Sequence, residues 1–100
     1  MERGGYQYIL SNYERTVLYI GVTSTLNVRI HDHRNGSGSN FNSKYKCWYL
    51  VHYCGFKTIE EVIAREKAIK KWKLKWKLKL IKESNPELKC LSSEVFKTRL

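Results

Sequence analysis

The stretch YIGVTSTLNVRIHDH, residues 19–33, brings a phenol (Tyr19), a glycine (Gly21), a hydroxyl (Thr23), a guanidinium (Arg29) and an imidazole (His33) close together in the chain. A second phenol, Tyr8, precedes them in YQYIL. Groups of these types could bind an anion and move a proton. A guanidinium offers paired N–H donors to phosphate or carboxylate oxygens, and imidazole titrates near neutral pH. A phenol, with a pKa of about 10, is a poor base unless nearby cations lower it. Farther on, KKWKLKWKLKL (70–80) interleaves Lys70, Lys71, Lys73, Lys75, Lys77 and Lys79 with Trp72, Trp76 and leucines. Each feature alone has a plainer reading. Strand tyrosines usually belong to a core or sheet surface, and a helix arginine or a lysine run is usually a solvated face.

The charge of the whole chain favours a polyanionic partner. Nineteen Lys and Arg against nine Asp and Glu leave a net +10 over 100 residues. Such a field attracts nucleic acid first and an anionic membrane surface second. No run of about 18 uncharged apolar residues exists, so no membrane span is expected. The opening MERGGYQYIL has an acid at Glu2 and only a short apolar run, unlike a signal peptide, so the cytoplasm is the expected compartment. Cys47, Cys54 and Cys90 are odd in number and lack a C-x-x-C pair, which points to reduced thiols rather than a disulfide framework or zinc ribbon. His31, His33 and His52 do not pair with them at zinc-site spacing. His31 and His52 are read as structural.

Few elements are available to position these groups. At 42% apolar composition the chain supports one small domain, taken as residues 1–90 with 91–100 as a C-terminal tail. YQYIL and TVLYIGV, separated by polar SNYER, predict a β-hairpin over 6–11 and 16–21 that turns at Asn12 to Arg15, with Gly21 breaking the second strand. A helix follows, with Ser24 as N-cap, Leu26 and Ile30 on one face, and Gly36 at its end. SGSNFNS (37–43) reads as a polar loop. KCWYLVHYCGF (46–56) reads as a strand long enough to be central. Thr58 and Glu61 have the spacing of a capping box. Ile59, Val62, Ile63 and Ile69 then repeat at helical spacing. Residues 70–80 alternate like a strand, yet Lys and Leu are good helix formers and no β-branched residue interrupts them. A helix is expected there, with a break near Lys71 to Lys73, and Trp72, Trp76 and Leu80 burying against the sheet. Pro86 stops it. The expected fold is α/β (α+β), a small three-stranded antiparallel sheet flanked by helices, in the order β-β-α-β-α-α.

The gapless pattern Y-I-G-x-T-x-x-L-x-x-R-x-x-x-H, here Tyr19, Ile20, Gly21, Thr23, Leu26, Arg29 and His33, resembles the GIY-YIG nuclease superfamily. The similarity is strongest to its small stand-alone bacterial members and extends over residues 5–90, including IAREKAIKKWKLKWKLKLIKESNPEL. The resemblance implies roles. Tyr8 stands at the tyrosine of the first motif, although the preceding Gly and Ile are here Tyr6 and Gln7. Tyr19 is the tyrosine of the second motif, Gly21 lets the chain approach the phosphate, Arg29 is the helix arginine and His33 follows it. Glu66 matches the metal-binding glutamate, and Asn85 the asparagine that often closes the site. The implied activity is metal-dependent hydrolysis of phosphodiester bonds in DNA, single-stranded or branched.

The residue types suit that chemistry. One carboxylate, Glu66, can hold an Mg²⁺ or Mn²⁺ ion, since Mg²⁺ keeps much of its hydration shell. Arg29 can stabilise charge as it builds on the phosphate. Tyr8, Tyr19 and His33 all stand open as the proton acceptor. Gly21, Thr23, Lys70, Lys71, Lys73, Lys75 and Lys77 are expected to meet nucleic acid, and a monomer is expected. Two other classes fit parts of the pattern: a catalytically degenerate nucleic-acid-binding module, given the altered first motif, and an interfacial membrane binder working through 70–80.

Overall fold

In YQYILS alternate side chains face opposite ways, and both sets are buried. A computed structural model of the protein describes residues 4–34 and 44–93, with the side chains of residues 32–34 also outside the description. The elements run β1 (Gly5–Ser11), β2 (Leu18–Thr23), α1 (Leu26–Arg34), β3 (Tyr49–Phe56), α2 (Ile59–Lys70) and α3 (Leu74–Ser84). This is the expected order. The strands form one antiparallel sheet in the order β2-β1-β3.

The central strand is therefore β1, not the 46–56 run. In β1 every residue except Tyr6 is buried, whereas the far end of β3 opens at Cys54 and Gly55. Burial on both faces, not length, marks the central strand. Strand β2 starts at Leu18, two residues later than the sequence suggests, because Asn12 takes the intervening amides. Its Oδ1 accepts from Thr16 N–H at 2.9 Å and Val17 N–H at 3.1 Å, so those residues stay in the turn. The first bond of α1 runs from Arg29 N–H to the Thr25 carbonyl, which places its start one residue beyond Ser24. The expected helix end at Gly36 and the loop 37–43 lie outside the described residues.

Each sheet face carries its own helical layer. Tyr8 and Leu10 of β1 pack with Leu26 and Ile30 of α1, with Cys47 and with Leu50. Ile9 of β1 and Ile20 of β2 pack instead with Val51, Ile69 of α2 and Ile81 of α3. The strand period of two thus assigns α1 to one face and α2 with α3 to the other. The capping box at the start of α2 forms as expected: Thr58 Oγ1 accepts from Glu61 N–H, and the Glu61 carboxylate accepts from Thr58 N–H, both at 3.2 Å.

The break at Lys71 to Lys73 forms as expected, but it changes the fate of the tryptophans. Trp72 sits in the break and packs partly against the second core, while Trp76 on α3 is 47% exposed. With two helices in place of one, 72 and 76 no longer share a continuous face. Ile81 supplies the fully buried anchor of α3. The compact part also passes residue 90: Leu91 joins the first core and its N–H donates to the Leu50 carbonyl at 2.6 Å. The remainder of the expected tail, 94–100, lies outside the described residues.

His52 of β3 is buried on the α2–α3 side. Burial disfavours its imidazolium and Arg65 adds to that effect, with Glu83 opposing, so its pKa falls below the usual 6.5. The unfolded chain then binds the proton in preference as pH drops through 6.5, and stability present above that pH is lost towards the folded pKa. We predict that the urea midpoint falls between pH 7.5 and 5.5 more steeply for wild type than for His52→Leu. Equal slopes would remove His52 from the account.

Candidate active site

The hairpin and α1 build one polar group on the first face. Tyr8 pairs with Gly21 and Leu10 with Tyr19 across β1 and β2, so both phenols leave the sheet on the side of α1. Their ring centroids are 6.4 Å apart with planes inclined at 45°. Gly21 does not break its strand; it lies inside β2 and makes room for Tyr8. A Cβ at residue 21 would stand 2.5 Å from Tyr8 Cζ and Oη. The phenol therefore closes over a position where only hydrogen fits.

Tyr8 is 2% exposed. Burial, and to a lesser extent the neighbouring Tyr19, push its pKa well above the normal tyrosine range, while Arg29 pulls weakly the other way. Burial thus favours the neutral phenol, whose hydroxyl can donate a hydrogen bond. Tyr19 is only half-buried, and Arg29 is exposed on α1. The three form a phenol–phenol–guanidinium group with a dry floor and an open, cationic rim. Thr23 is buried, and its Oγ1 accepts from Thr25 N–H at 3.1 Å, which sets the approach to α1. His33 belongs to α1 by its backbone, but its side chain lies outside the described residues.

Glu66 stands on α2, in the other layer. It shares a helix side with Val62 and Ile69, four residues before it and three after, and its side chain is only 15% exposed. Its carboxylate forms an ion pair with Lys70 one turn on. No group of three or more His, Cys, Asp or Glu stands together among the described residues. One largely buried carboxylate suits Mg²⁺, which needs few protein ligands and keeps its waters. Lys70 is then the competing counter-ion. Of the remaining lysines, Lys71, Lys73 and Lys75 are exposed and Lys77 is half-buried.

Asn85 has another occupation. It is buried, its Nδ2 donates to the Val51 carbonyl at 3.0 Å and the Lys89 carbonyl at 2.8 Å, and its Oδ1 accepts from Lys89 N–H at 3.1 Å. These bonds tie the end of α3 to β3 and turn the chain after Pro86. An amide so engaged is a structural clamp.

The GIY-YIG catalytic domain matches residues 4–79. A UPF0213 protein of Staphylococcus aureus strain Mu3 is 33% identical over 66 residues, covering 66% of this chain and 80% of the relative, and its counterparts in strains Mu50 and N315 match equally. Among solved structures, the solution NMR structure of a UPF0213 protein from Bacillus halodurans superposes with a TM-score of 0.55. It is 25% identical, over 84% of this chain and 88% of that one.

Two substitutions probe this arrangement. Gly21→Ala is expected to displace the Tyr8 phenol and cost ~1–3 kcal/mol, the usual range for overpacking a filled core. Asn85→Ala leaves backbone groups of Val51 and Lys89 without partners and is expected to cost ~2–4 kcal/mol, more than one net hydrogen bond. Urea unfolding measures both, and a change below about 0.5 kcal/mol at either site would contradict the packing or the clamp.

Proposed function

The chain belongs to the GIY-YIG family, and from that premise we propose that it is a metal-dependent nuclease hydrolysing phosphodiester bonds in DNA, single-stranded or branched. The observation that carries the reading is the Tyr8–Tyr19–Arg29 group, in which Gly21 admits a buried phenol beside an open guanidinium. The net charge of +10 supports a polyanionic substrate. No helix among the described residues is long and apolar enough to cross a membrane. We place the activity in the cytoplasm and assign it to a monomer.

Each side chain has a distinct task in this reading. Arg29 holds the non-bridging oxygens of the phosphate by paired hydrogen bonds and offsets the charge that builds there. Tyr8, favoured as the neutral phenol, donates from the floor to an oxygen of the phosphate or to the attacking water. The proton lost by that water goes to a base other than Tyr8, and Tyr19, acting as its phenolate, and the His33 imidazole are the two groups the family pattern offers for that role. Glu66 would hold the Mg²⁺ or Mn²⁺ ion once Lys70 turns aside to the phosphate backbone. Such an ion would supply Lewis-acid neutralisation of charge on the phosphate. Asn85 acts only by holding α3 against β3.

The test is incubation of purified protein with labelled single-stranded, duplex and branched DNA, and with RNA, in Mg²⁺ or Mn²⁺. Cleavage of at least one DNA is expected. Glu66→Ala is expected to abolish it with binding retained, Arg29→Ala to slow it by about a hundredfold or more, and Tyr8→Phe to slow it without shifting its pH profile. Absence of cutting on every substrate, or cutting by Glu66→Ala at the wild-type rate, rejects the proposal. Salt-sensitive binding without cutting would favour a degenerate module, the reading to which the Glu66–Lys70 pair also lends itself.

A further inference from the structure

On the sheet face away from Tyr8 and Tyr19, helices α2 and α3 and the break between them enclose an open cleft of about 530 Å³. Its walls are Arg65, Trp72, Trp76, Lys79, Leu80 and Glu83. The four contributions from α3, at 76, 79, 80 and 83, have the i, i+3, i+4, i+7 spacing of one helix face. None of these residues takes part in the proposed chemistry.

The cleft is aromatic and cationic together. The Arg65 guanidinium lies 5.2 Å from the Trp72 ring centroid, and Lys79 and Lys75 Nζ lie 5.3 and 5.4 Å from that of Trp76. These distances are within the ~6 Å reach of a cation–π contact. Trp76 is nevertheless 47% exposed, so part of its indole still faces solvent. A second observation is independent of the rings. His52 is 9% exposed, and its Nδ1 has no hydrogen-bond partner among the described residues. The charged groups that act on it are Arg65 and Glu83, both walls of the cleft. A buried ring nitrogen without a partner is costly, and His52 feels the charges of two of the cleft's walls.

We infer that this cleft binds an unpaired base of a single-stranded nucleic acid. The base stacks on Trp76, the flanking phosphates lie along Lys75 and Lys79, and Glu83 accepts from N–H groups on the base edge. The chemistry selects this occupant. An anion alone would have no use for the indoles, and an apolar peptide or acyl chain would leave Arg65, Lys79 and Glu83 desolvated and unpaired. A nucleotide combines a flat π-face, negative charge and edge donors, and base–aromatic stacking tolerates any sequence. The volume lies within the ~300–1,000 Å³ common for small-ligand sites. The inference rests on nucleic acid being the partner in the proposed function, but not on cleavage.

The experiment compares two dye-labelled strands of equal length, one with bases and one abasic throughout, binding to the full chain in EDTA. Wild type should bind the base-bearing strand more tightly. Trp76→Ala should weaken that strand about tenfold, within the ~1–3 kcal/mol that stacking contributes, and leave the abasic strand unchanged. Trp76→Phe should restore most of the loss, and circular dichroism checks the fold of each variant. Equal wild-type affinity for the two strands, or Trp76→Ala binding the base-bearing strand like wild type, overturns the inference. So does displacement of the strand by phosphatidylserine vesicles whose own binding Trp76→Ala abolishes. Absence of cutting in the Mg²⁺ or Mn²⁺ assay, with the strand difference in EDTA intact, would reject the nuclease reading alone.

Discussion

Strand β1 is hydrogen-bonded on both edges and covered on both faces, and the rest of the molecule depends on that double burial. A strand in this position must give alternate side chains to two different cores. Tyr8 and Leu10 go to the α1 side, Ile9 to the α2–α3 side. Tyr8 consequently lies in a dry place, and the same burial that fixes its ring raises its pKa. Gln7 shows the cost of the position. It is fully buried, with neither side-chain amide atom hydrogen-bonded among the described residues, where an apolar residue would meet no such penalty.

The sheet is held in register by polar side chains outside it. Asn12 closes the hairpin with its side chain, and Arg15, at a left-handed φ of 65°, completes the turn. The Arg15 guanidinium then reaches the Leu88 carbonyl at 3.0 Å and lies 4.8 Å from the Tyr49 ring centroid. Asn85 fastens the same C-terminal segment to β3 through Val51. One asparagine at each end and an arginine between them join the first turn, the last helix and the edge strand. These contacts brace the sheet that carries Tyr8 and Tyr19.

The basic segment 70–80 gives two surfaces because it is two structures. The break after Lys70 lets Ile69 and Ile81 each bury against the sheet while Trp76 turns outward. Glu66 and Arg65 are neighbours on α2, yet the first pairs with Lys70 and the second stacks over Trp72. The metal-ligand candidate and the cleft wall therefore sit side by side on one helix. A strand that crossed this helix would meet both.

Much was legible in the sequence because it rests on local, short-range rules. Alternation in YQYIL, the Thr58–Glu61 box and the helix formers of 70–80 act within a few residues, and they led to the correct element order and the break. The spacing of Tyr19, Gly21, Thr23 and Arg29 likewise exposed the family pattern. What the sequence could not decide is which neighbour each side chain meets across the sheet. The edge or centre of a strand, the reason for Gly21, the engagement of Asn85 and the exposure of Trp76 all depend on partners distant in the chain. The protonation of Tyr8 depends on them too, since desolvation is a property of the packed environment and not of the tyrosine. Sequence determined the elements and the candidate groups; tertiary packing decided which of them are buried, engaged or open to a ligand.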